Sequence, residues 1–199
     1  MTLADDFYLF ANVNFVPDKY DEWQTAYDAL AAHVWAHEPT TKTYYFGIPL
    51  DYAHDFSATT SMLAFEVYGR REDLYETHFS SPAMKEFLQK IPDTMTTGLD
   101  LSHYRWRGER GGEGKLEKLA GEVGKVAETD DTGVLTFMTF ESLDGETGVR
   151  MFARFRSRED MERHLRSKEV LDFWLGSKEE IASMESRGYL PNGKGWLHR

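Results

Sequence analysis

The sequence contains no cysteine, which excludes disulfide bonds, thiolate metal sites and thiol nucleophiles. Basic residues are also scarce, because 23 Lys and Arg face 34 Asp and Glu and give a net charge of −11. No apolar run approaches the roughly 20 residues that a membrane-spanning helix needs. The acidic first thirty residues argue against a secretory or transit peptide. We therefore expect a soluble, cytoplasmic protein with no membrane partner.

The shortage of basic residues is concentrated in the first half of the chain. Residues 1–106 hold 7 Lys and Arg against 16 Asp and Glu, a net charge of −9, whereas residues 107–199 hold 16 against 18, a net charge of −2. An acidic surface repels phosphate backbones, so nucleic acid is not expected as a partner.

Aromatic residues are plentiful, with 13 Phe, 10 Tyr and 5 Trp, and they follow clear strand and helix periods. Alternating apolar positions predict two strands in the first half, and short runs rich in aromatic residues predict two more. Asp18 is the predicted N-cap of a first helix whose apolar face runs from Tyr20 to Val34. Residues 70–88 are predicted to form two helical segments, separated by a break at residues 80–82. The predicted strands are residues 7–15, 43–48, 61–68 and 99–106. The order β-α-β-β-α-β is that of a ferredoxin-like α+β unit.

The second half repeats part of the first after a glycine-rich linker at residues 107–115. The turn at residues 70–74 recurs at residues 157–161, and His78 and Ser81 recur as His164 and Ser167. Strands are predicted at residues 134–140 and 149–155, with helical stretches at 116–126 and 158–184. We predict two ferredoxin-like copies packed sheet to sheet as an α+β barrel within one chain. Residues 1–106 form the candidate active unit, and residues 116–199 form a degenerate second unit. Such an internal pseudo-dimer is compatible with a monomer or a homodimer.

Several segments of the first half resemble the antibiotic biosynthesis monooxygenase domain. They are Phe65-Glu66-Val67-Tyr68, the turn at residues 70–74, His78-x-x-Ser81 before Phe87-Leu88, and VWAHEPTTKTYYF at residues 34–46. The resemblance is good over residues 7–106 and weaker over residues 130–199. It implies a dimeric α+β barrel with a pocket between sheet and helices. Members of the family include cofactor-free oxygenases of polyketide quinols in secondary metabolism, haem-degrading monooxygenases and isomerases.

Three residues of the 61–88 region are candidates for acid-base chemistry. Glu66 and Tyr68 share one face of a strand, and a buried carboxylate there would have a raised pKa. A salt bridge to an arginine is the structural alternative for Glu66. An imidazole is suited to act as a general base, so His78 is a candidate, but it recurs as His164, which also fits a structural role in both copies.

Other candidates come from the first strand and the aromatic positions. Asn12 and Asn14 are unusual in a strand and could orient a substrate oxygen or dioxygen, or they could form the polar face of an edge strand. Trp23, Tyr27, Tyr45 and Phe46 are candidate substrate-binding residues, or simply core. His33 and His37 have metal-ligand spacing without a third ligand at a motif distance, so no metal site is predicted.

The hypothesis from the sequence is a cofactor-independent oxygenase of a small aromatic or polyketide-type substrate, with dioxygen as co-substrate and no bound cofactor. His78 would be the base, and Tyr68 with an Asn would stabilise the oxyanion. Three alternatives stay open: an isomerase or cyclase, a non-catalytic barrel that binds a hydrophobic ligand or acts in stress response, and a haem-degrading monooxygenase. In the second copy, the positions equivalent to Glu66 and Tyr68 are occupied by Ala153 and Phe155. This loss of both polar groups favours the first half as the location of the site.

Overall fold

The computed structural model describes residues 5–106, 133–145 and 148–198. The linker predicted at residues 107–115 and the helical stretch predicted at 116–126 lie outside this range. The chain divides into two compact units, the first made of Met1–His103 with Ser186–Arg199 and the second of Tyr104–Glu185. The last segment of the chain thus belongs with the first unit, whereas the sequence prediction placed it in a unit of residues 116–199.

The first unit follows the predicted β-α-β-β-α-β order. Its elements are β1 (Phe7–Asn14), α1 (Tyr20–His37), β2 (Thr41–Pro49), β3 (Ser61–Tyr68), a π-helical turn (Asp73–His78), α2 (Pro82–Lys90) and β4 (Asp100–Trp106). β4 runs past His103 into the second unit. The strands are antiparallel, with β3 between β1 and β2 and with β4 beside β1.

The N-terminus of α1 differs from the prediction. Lys19 occupies the N-cap position and makes no side-chain cap, whereas Asp18 adopts a left-handed conformation with φ of 64°. Asp18 therefore belongs to the turn before the helix and is not the N-cap.

The core of the first unit lies between one face of the sheet and the two helices. Strand alternation sends Leu9, Ala11 and Val13 to this face, together with Ala64 and Glu66 of β3. The largest buried side chain is Trp23 of α1, whose ring contacts Phe87 of α2 edge-on at 5.6 Å between centroids. Large aromatic side chains therefore fill most of the space between the layers.

The second unit contains an antiparallel pair and two helices. Its elements are β5 (Val134–Ser142), β6 (Val149–Phe155), α3 (Arg158–Leu165) and α4 (Lys168–Ser177). The end of β4 pairs with β5 through Tyr104, Arg105 and Trp106. The last strand of the first sequence copy therefore completes the sheet of the second unit.

The reciprocal arrangement occurs at the C-terminus, where the sequence prediction missed a strand. β7 (Tyr189–Trp196) pairs antiparallel with β2 in the first unit, with Tyr44 opposite Trp196 and Ile48 opposite Leu190. The sequence YLPNGKGW has no period-2 alternation, and its proline is tolerated because β7 is the edge strand of this unit.

Two glycines of β7, Gly193 and Gly195, differ in how closely their backbone approaches the neighbouring strand β2. Both have positive φ, 78° for Gly193 and 68° for Gly195, so an alanine is strained at either position. A Cβ at Gly195 would lie 1.9 Å from the Tyr44 carbonyl oxygen, whereas a Cβ at Gly193 meets nothing within 4 Å.

We expect Gly193→Ala to lower the free energy of unfolding by about 1–2 kcal/mol. Gly195→Ala should cost about 1–3 kcal/mol more, as measured by urea denaturation. Equal losses in the two variants would contradict the close β2–β7 contact.

Candidate functional site

A small cavity of about 20 Å³ lies between the sheet and the helices of the first unit. Most of its lining is apolar, and its polar groups come from Tyr27, Tyr44, Glu66 and His78. Among the lining residues only Phe79, Leu99 and Leu101 are partly exposed, so they mark the side of the cavity nearest to solvent. The remaining lining residues are Leu9, Ala11, Val13, Trp23, Ala64, Met84 and Phe87.

Glu66 is a buried carboxylate held by two tyrosine hydroxyl groups. The Tyr27 hydroxyl donates to Oε1 at 2.9 Å, and the Tyr68 hydroxyl donates to Oε2 at 2.7 Å. Tyr27 comes from α1 and Tyr68 from the same strand as Glu66, so the carboxylate links helix to sheet. The salt bridge considered for Glu66 is not the observed arrangement, because these two phenols are the hydrogen-bond partners of its carboxylate.

Burial controls the protonation of this group of residues. It raises the pKa of Glu66, while the charge that His78 carries when it is protonated and the hydrogen bonds from Tyr68 and Tyr27 oppose that rise. Burial also raises the pKa values of Tyr27, Tyr44 and Tyr68 well above the ordinary value, and the Glu66 carboxylate raises them further. The three phenols therefore remain neutral hydrogen-bond donors.

His78 is buried at the end of the π-helical turn and faces the same cavity. Its Nδ1 lies 2.9 Å from Oε2 of Glu38, the residue after α1, and both side chains are at most 3% exposed. A carboxylate accepts rather than donates, so in the neutral imidazole the hydrogen lies on Nδ1 and Nε2 keeps its lone pair. Since Glu38 does not line the cavity, it orients His78 from behind. π-helical turns occur frequently at functional sites.

The repeated His and Ser of the two copies separate into different roles. Ser81 caps α2 by accepting from the Met84 amide at 3.1 Å, and Ser167 caps α4 by accepting from the Val170 amide at 3.4 Å. The repeated serine is therefore structural. The ring of His164, in contrast to that of His78, packs at 5.8 Å from Phe137 and 5.4 Å from Phe155, and burial lowers its pKa.

Sequence-predicted residues fall into two groups on opposite sides of the sheet. Four of them line the cavity: Glu66, His78, Trp23 and Tyr27. Tyr68 does not line the cavity, but its hydroxyl donates a hydrogen bond to Glu66, which does. Phe46 packs on the Tyr27 ring at 4.5 Å between centroids but does not line the cavity.

The predicted asparagines and Tyr45 lie on the other face of the sheet. Asn12 and Asn14 alternate with the cavity-lining residues of β1, and the Asn12 side chain donates to Asp100 at 3.4 Å. Tyr45 alternates with Tyr44 in the same way, and it is half-buried. None of these three residues contributes to the cavity.

Two cavity-associated residues were missed. Glu38 precedes Pro39 at the end of α1, and its burial could have been suspected only from the match of residues 34–46 to a family segment. Tyr44 stands opposite Glu66 on the neighbouring strand. The spacing of Tyr44, Tyr45 and Phe46 gives no sign of which ring reaches the cavity, because the register of β2 decides it.

No metal-binding cluster of three or more His, Asp or Glu occurs in residues 5–106, 133–145 and 148–198. His33 and His37 lie side by side on α1 with ring centroids 4.7 Å apart. Within the same ranges, no helix has the length and apolar character that crossing a bilayer requires.

Two solved structures share this fold over nearly the whole chain. One, from Fusobacterium nucleatum subsp. nucleatum, has a TM-score of 0.78 at 12% identity and covers 98% of this chain and 96% of its own. The other, from Lactobacillus acidophilus, has a TM-score of 0.72 at 9% identity and covers 97% and 96%. Both are described as monooxygenases by inference only. At these identities the likeness establishes the fold, and it confirms the predicted α+β architecture of two copies.

Residues 109–174 match the model of the antibiotic biosynthesis monooxygenase family. This match confirms the resemblance predicted from the sequence. It lies in the second half, although the sequence resemblance was stronger in the first. No curated protein matches the chain significantly.

The raised pKa of Glu66 predicts a pH dependence of stability. Between the ordinary pKa of glutamate, about 4.3, and the higher folded-state value, the native chain binds more protons than the unfolded chain. This carboxylate therefore makes the free energy of unfolding fall as pH rises through that window, with no further effect above it. Glu66→Gln should remove this fall, measured by urea denaturation from about pH 4 to about pH 8.

The exposed Glu86 provides the control, because Lys90 lowers its pKa. Its contribution has the opposite sign: it is present above the ordinary pKa and is lost as pH falls through the folded-state pKa. Glu86→Gln should leave the Glu66-dependent fall in place. A Glu66→Gln profile parallel to the wild-type profile would show that burial does not destabilise the charged form.

Proposed function

We propose that the first unit is a cofactor-independent oxygenase of a small aromatic or polyketide-type substrate that carries an acidic proton. The observation that supports it is the buried pair of His78 and Glu38 beside a cavity, with Nδ1 and Oε2 at 2.9 Å. A carboxylate behind an imidazole fixes its tautomer and stabilises the imidazolium that forms after proton abstraction. His78 is thus equipped as a general base.

The proton step follows from this orientation. Nε2 takes a proton from a phenol, an enol or an activated methylene group, and Glu38 stabilises the resulting charge on the ring. The substrate is left as an electron-rich anion in an apolar cavity. Apolar surroundings favour delocalised anions, so extended aromatic or conjugated carbonyl substrates suit this site better than isolated alcohols.

The oxygen step needs no external reductant, because the substrate supplies all the electrons. For an activated methylene, the carbanion transfers an electron to dioxygen, and the two radicals combine to form a carbon–oxygen bond. The imidazolium returns its proton to the peroxide. Loss of the remaining carbon-bound proton and of hydroxide, which is protonated to water, gives a ketone. The sum is R₂CH₂ + O₂ → R₂C=O + H₂O, with the substrate oxidised and dioxygen reduced.

The size of the cavity restricts the alternatives. About 20 Å³ holds one water-sized molecule, so an aromatic substrate enters only when the side formed by Phe79, Leu99 and Leu101 opens. A porphyrin is far larger than this cavity, and we do not propose haem degradation. An isomerase or cyclase would use the same base without dioxygen, so oxygen consumption separates these two reactions.

The second unit offers no equivalent of this arrangement in its described residues. Ala153 and Phe155 replace Glu66 and Tyr68, and the His164 ring lies against Phe155. His164 therefore serves as a matched control for His78, since both are buried histidines at equivalent positions of the repeat.

The test uses an anthrone, a tricyclic ketone whose methylene group is acidified through its rings. We expect oxygen uptake equal to product formed, with one atom of ¹⁸O₂ in the new carbonyl group. His78→Gln should lower the rate by about 10²- to 10⁴-fold, the contribution of a general base, and Glu38→Gln should lower it less. His164→Gln should retain the wild-type rate.

Two outcomes would contradict the proposal. If a folded His78→Gln variant oxidises the anthrone at the wild-type rate, His78 is not the general base. If the wild-type protein does not oxidise the anthrone, the proposed substrate class is wrong. Conversion of the substrate without oxygen uptake would replace oxygenation by isomerisation or cyclisation.

A further inference from the structure

Tyr44 carries a buried hydroxyl group at the cavity that makes no hydrogen bond of normal geometry with a described residue. Its side chain has no exposed surface, it lines the cavity, and no described residue lies in hydrogen-bonding geometry to its Oη. Buried hydroxyls are nearly always hydrogen-bonded, and an exception beside a cavity points to a water molecule or ligand as the partner.

Neighbouring polar groups are engaged elsewhere. Both oxygens of Glu66 already accept hydrogen bonds, from Tyr27 and Tyr68. The Tyr27 ring lies 5.4 Å from the Tyr44 ring. After burial and the Glu66 charge, a side-chain hydrogen-bond interaction with Tyr27 also acts on the Tyr44 pKa, but the two hydroxyls are outside normal hydrogen-bonding geometry and Tyr27 donates its hydrogen to Glu66. The His78 ring stands edge-on to Tyr44 at 5.7 Å, and its Nδ1 binds Glu38.

Packing fixes the direction of the Tyr44 ring. Trp196 of β7 lies opposite Tyr44 in the strand register and packs on its ring at 5.3 Å, while Phe46 contacts it edge-on at 5.1 Å. Trp196 is itself held edge-on by Trp35 at 4.9 Å. A ring confined on several sides holds its hydroxyl in place, which is the condition for a preorganised donor.

We propose that the Tyr44 hydroxyl donates the hydrogen bond that binds the substrate oxygen on which negative charge develops, with a water molecule in its place in the resting protein. This inference rests on the proposed function, because His78 must create that charge. The cavity of about 20 Å³ has room for one such water. A neutral phenol can stabilise an oxyanion without changing its own charge.

This assignment narrows the substrate class. His78 and Tyr44 contact each other at one cavity, so the acidic group and the oxygen acceptor must be close together and conjugated. Phenols and enolisable ketones satisfy both conditions, because the oxygen that accepts the hydrogen bond bears the charge released by deprotonation.

The probe is 4-nitrophenol, whose phenolate absorbs visible light and whose phenol form does not. Titration of the full-length wild-type protein should show binding with enrichment of the phenolate. Tyr44→Phe should weaken binding about tenfold to a hundredfold, the range for a hydrogen bond to a charged group, and should reduce the phenolate fraction. Tyr45→Phe, which removes the hydroxyl of the adjacent residue on the opposite face, should match the wild type.

The outcomes separate this inference from the proposed function. Equal affinities of the Tyr44→Phe and Tyr45→Phe variants, or no binding to the wild type, would overturn the role of Tyr44. A probe that binds as neutral phenol in a Tyr44-dependent way would leave Tyr44 as the donor and would remove His78 as the base.

A crystal structure of the wild-type protein with the probe gives a second measurement, which does not depend on the variant folding. The phenolate oxygen should lie within hydrogen-bond distance of Tyr44 Oη, in the place of a water molecule in the structure without the probe. An oxygen bound elsewhere in the cavity would contradict the assignment.

Discussion

A carboxylate on the apolar face of a sheet is the constraint around which the first unit is built. Glu66 loses its hydration on folding, and that loss must be offset by hydrogen bonds from groups that are themselves buried. Tyr27 and Tyr68 provide them, and each phenol then needs packing that holds it in place. The abundance of aromatic residues in this half follows from that requirement as well as from the core.

Each unit contains strand residues that come from the other sequence copy. β4 begins in the first unit and pairs with β5 in the second, whereas β7 comes after α4 in the chain and pairs with β2 in the first unit. β7 supplies Trp196, which packs on Tyr44 beside the cavity. The second copy lacks equivalents of Glu66 and Tyr68, but its final strand contributes Trp196 to the packing around the cavity-lining residue Tyr44.

Period-2 alternation was sufficient to predict β1 and β3, and short apolar runs between turn residues predicted β2, β4, β5 and β6. β7 was missed because Pro191, Gly193 and Gly195 interrupt any pattern, and its position is decided by pairing with β2. The site shows the same division. Glu66 and His78 could be predicted as unusual polar groups in an apolar frame. Their partners Tyr27 and Glu38 lie 39 and 40 residues away, a distance that no local pattern reports.

Comparing the two copies distinguishes structural residues from candidate catalytic ones only when the contacts of each residue are compared as well as its identity. His78 and His164 are equivalent in sequence, and repetition alone favours a structural role for both. Their surroundings differ, because one imidazole binds a buried carboxylate beside a cavity and the other packs between two phenylalanine rings. A histidine needs an orienting partner and a space for substrate to act as a base. This difference supports the proposed role of His78 as the base, and it supports a structural role for His164.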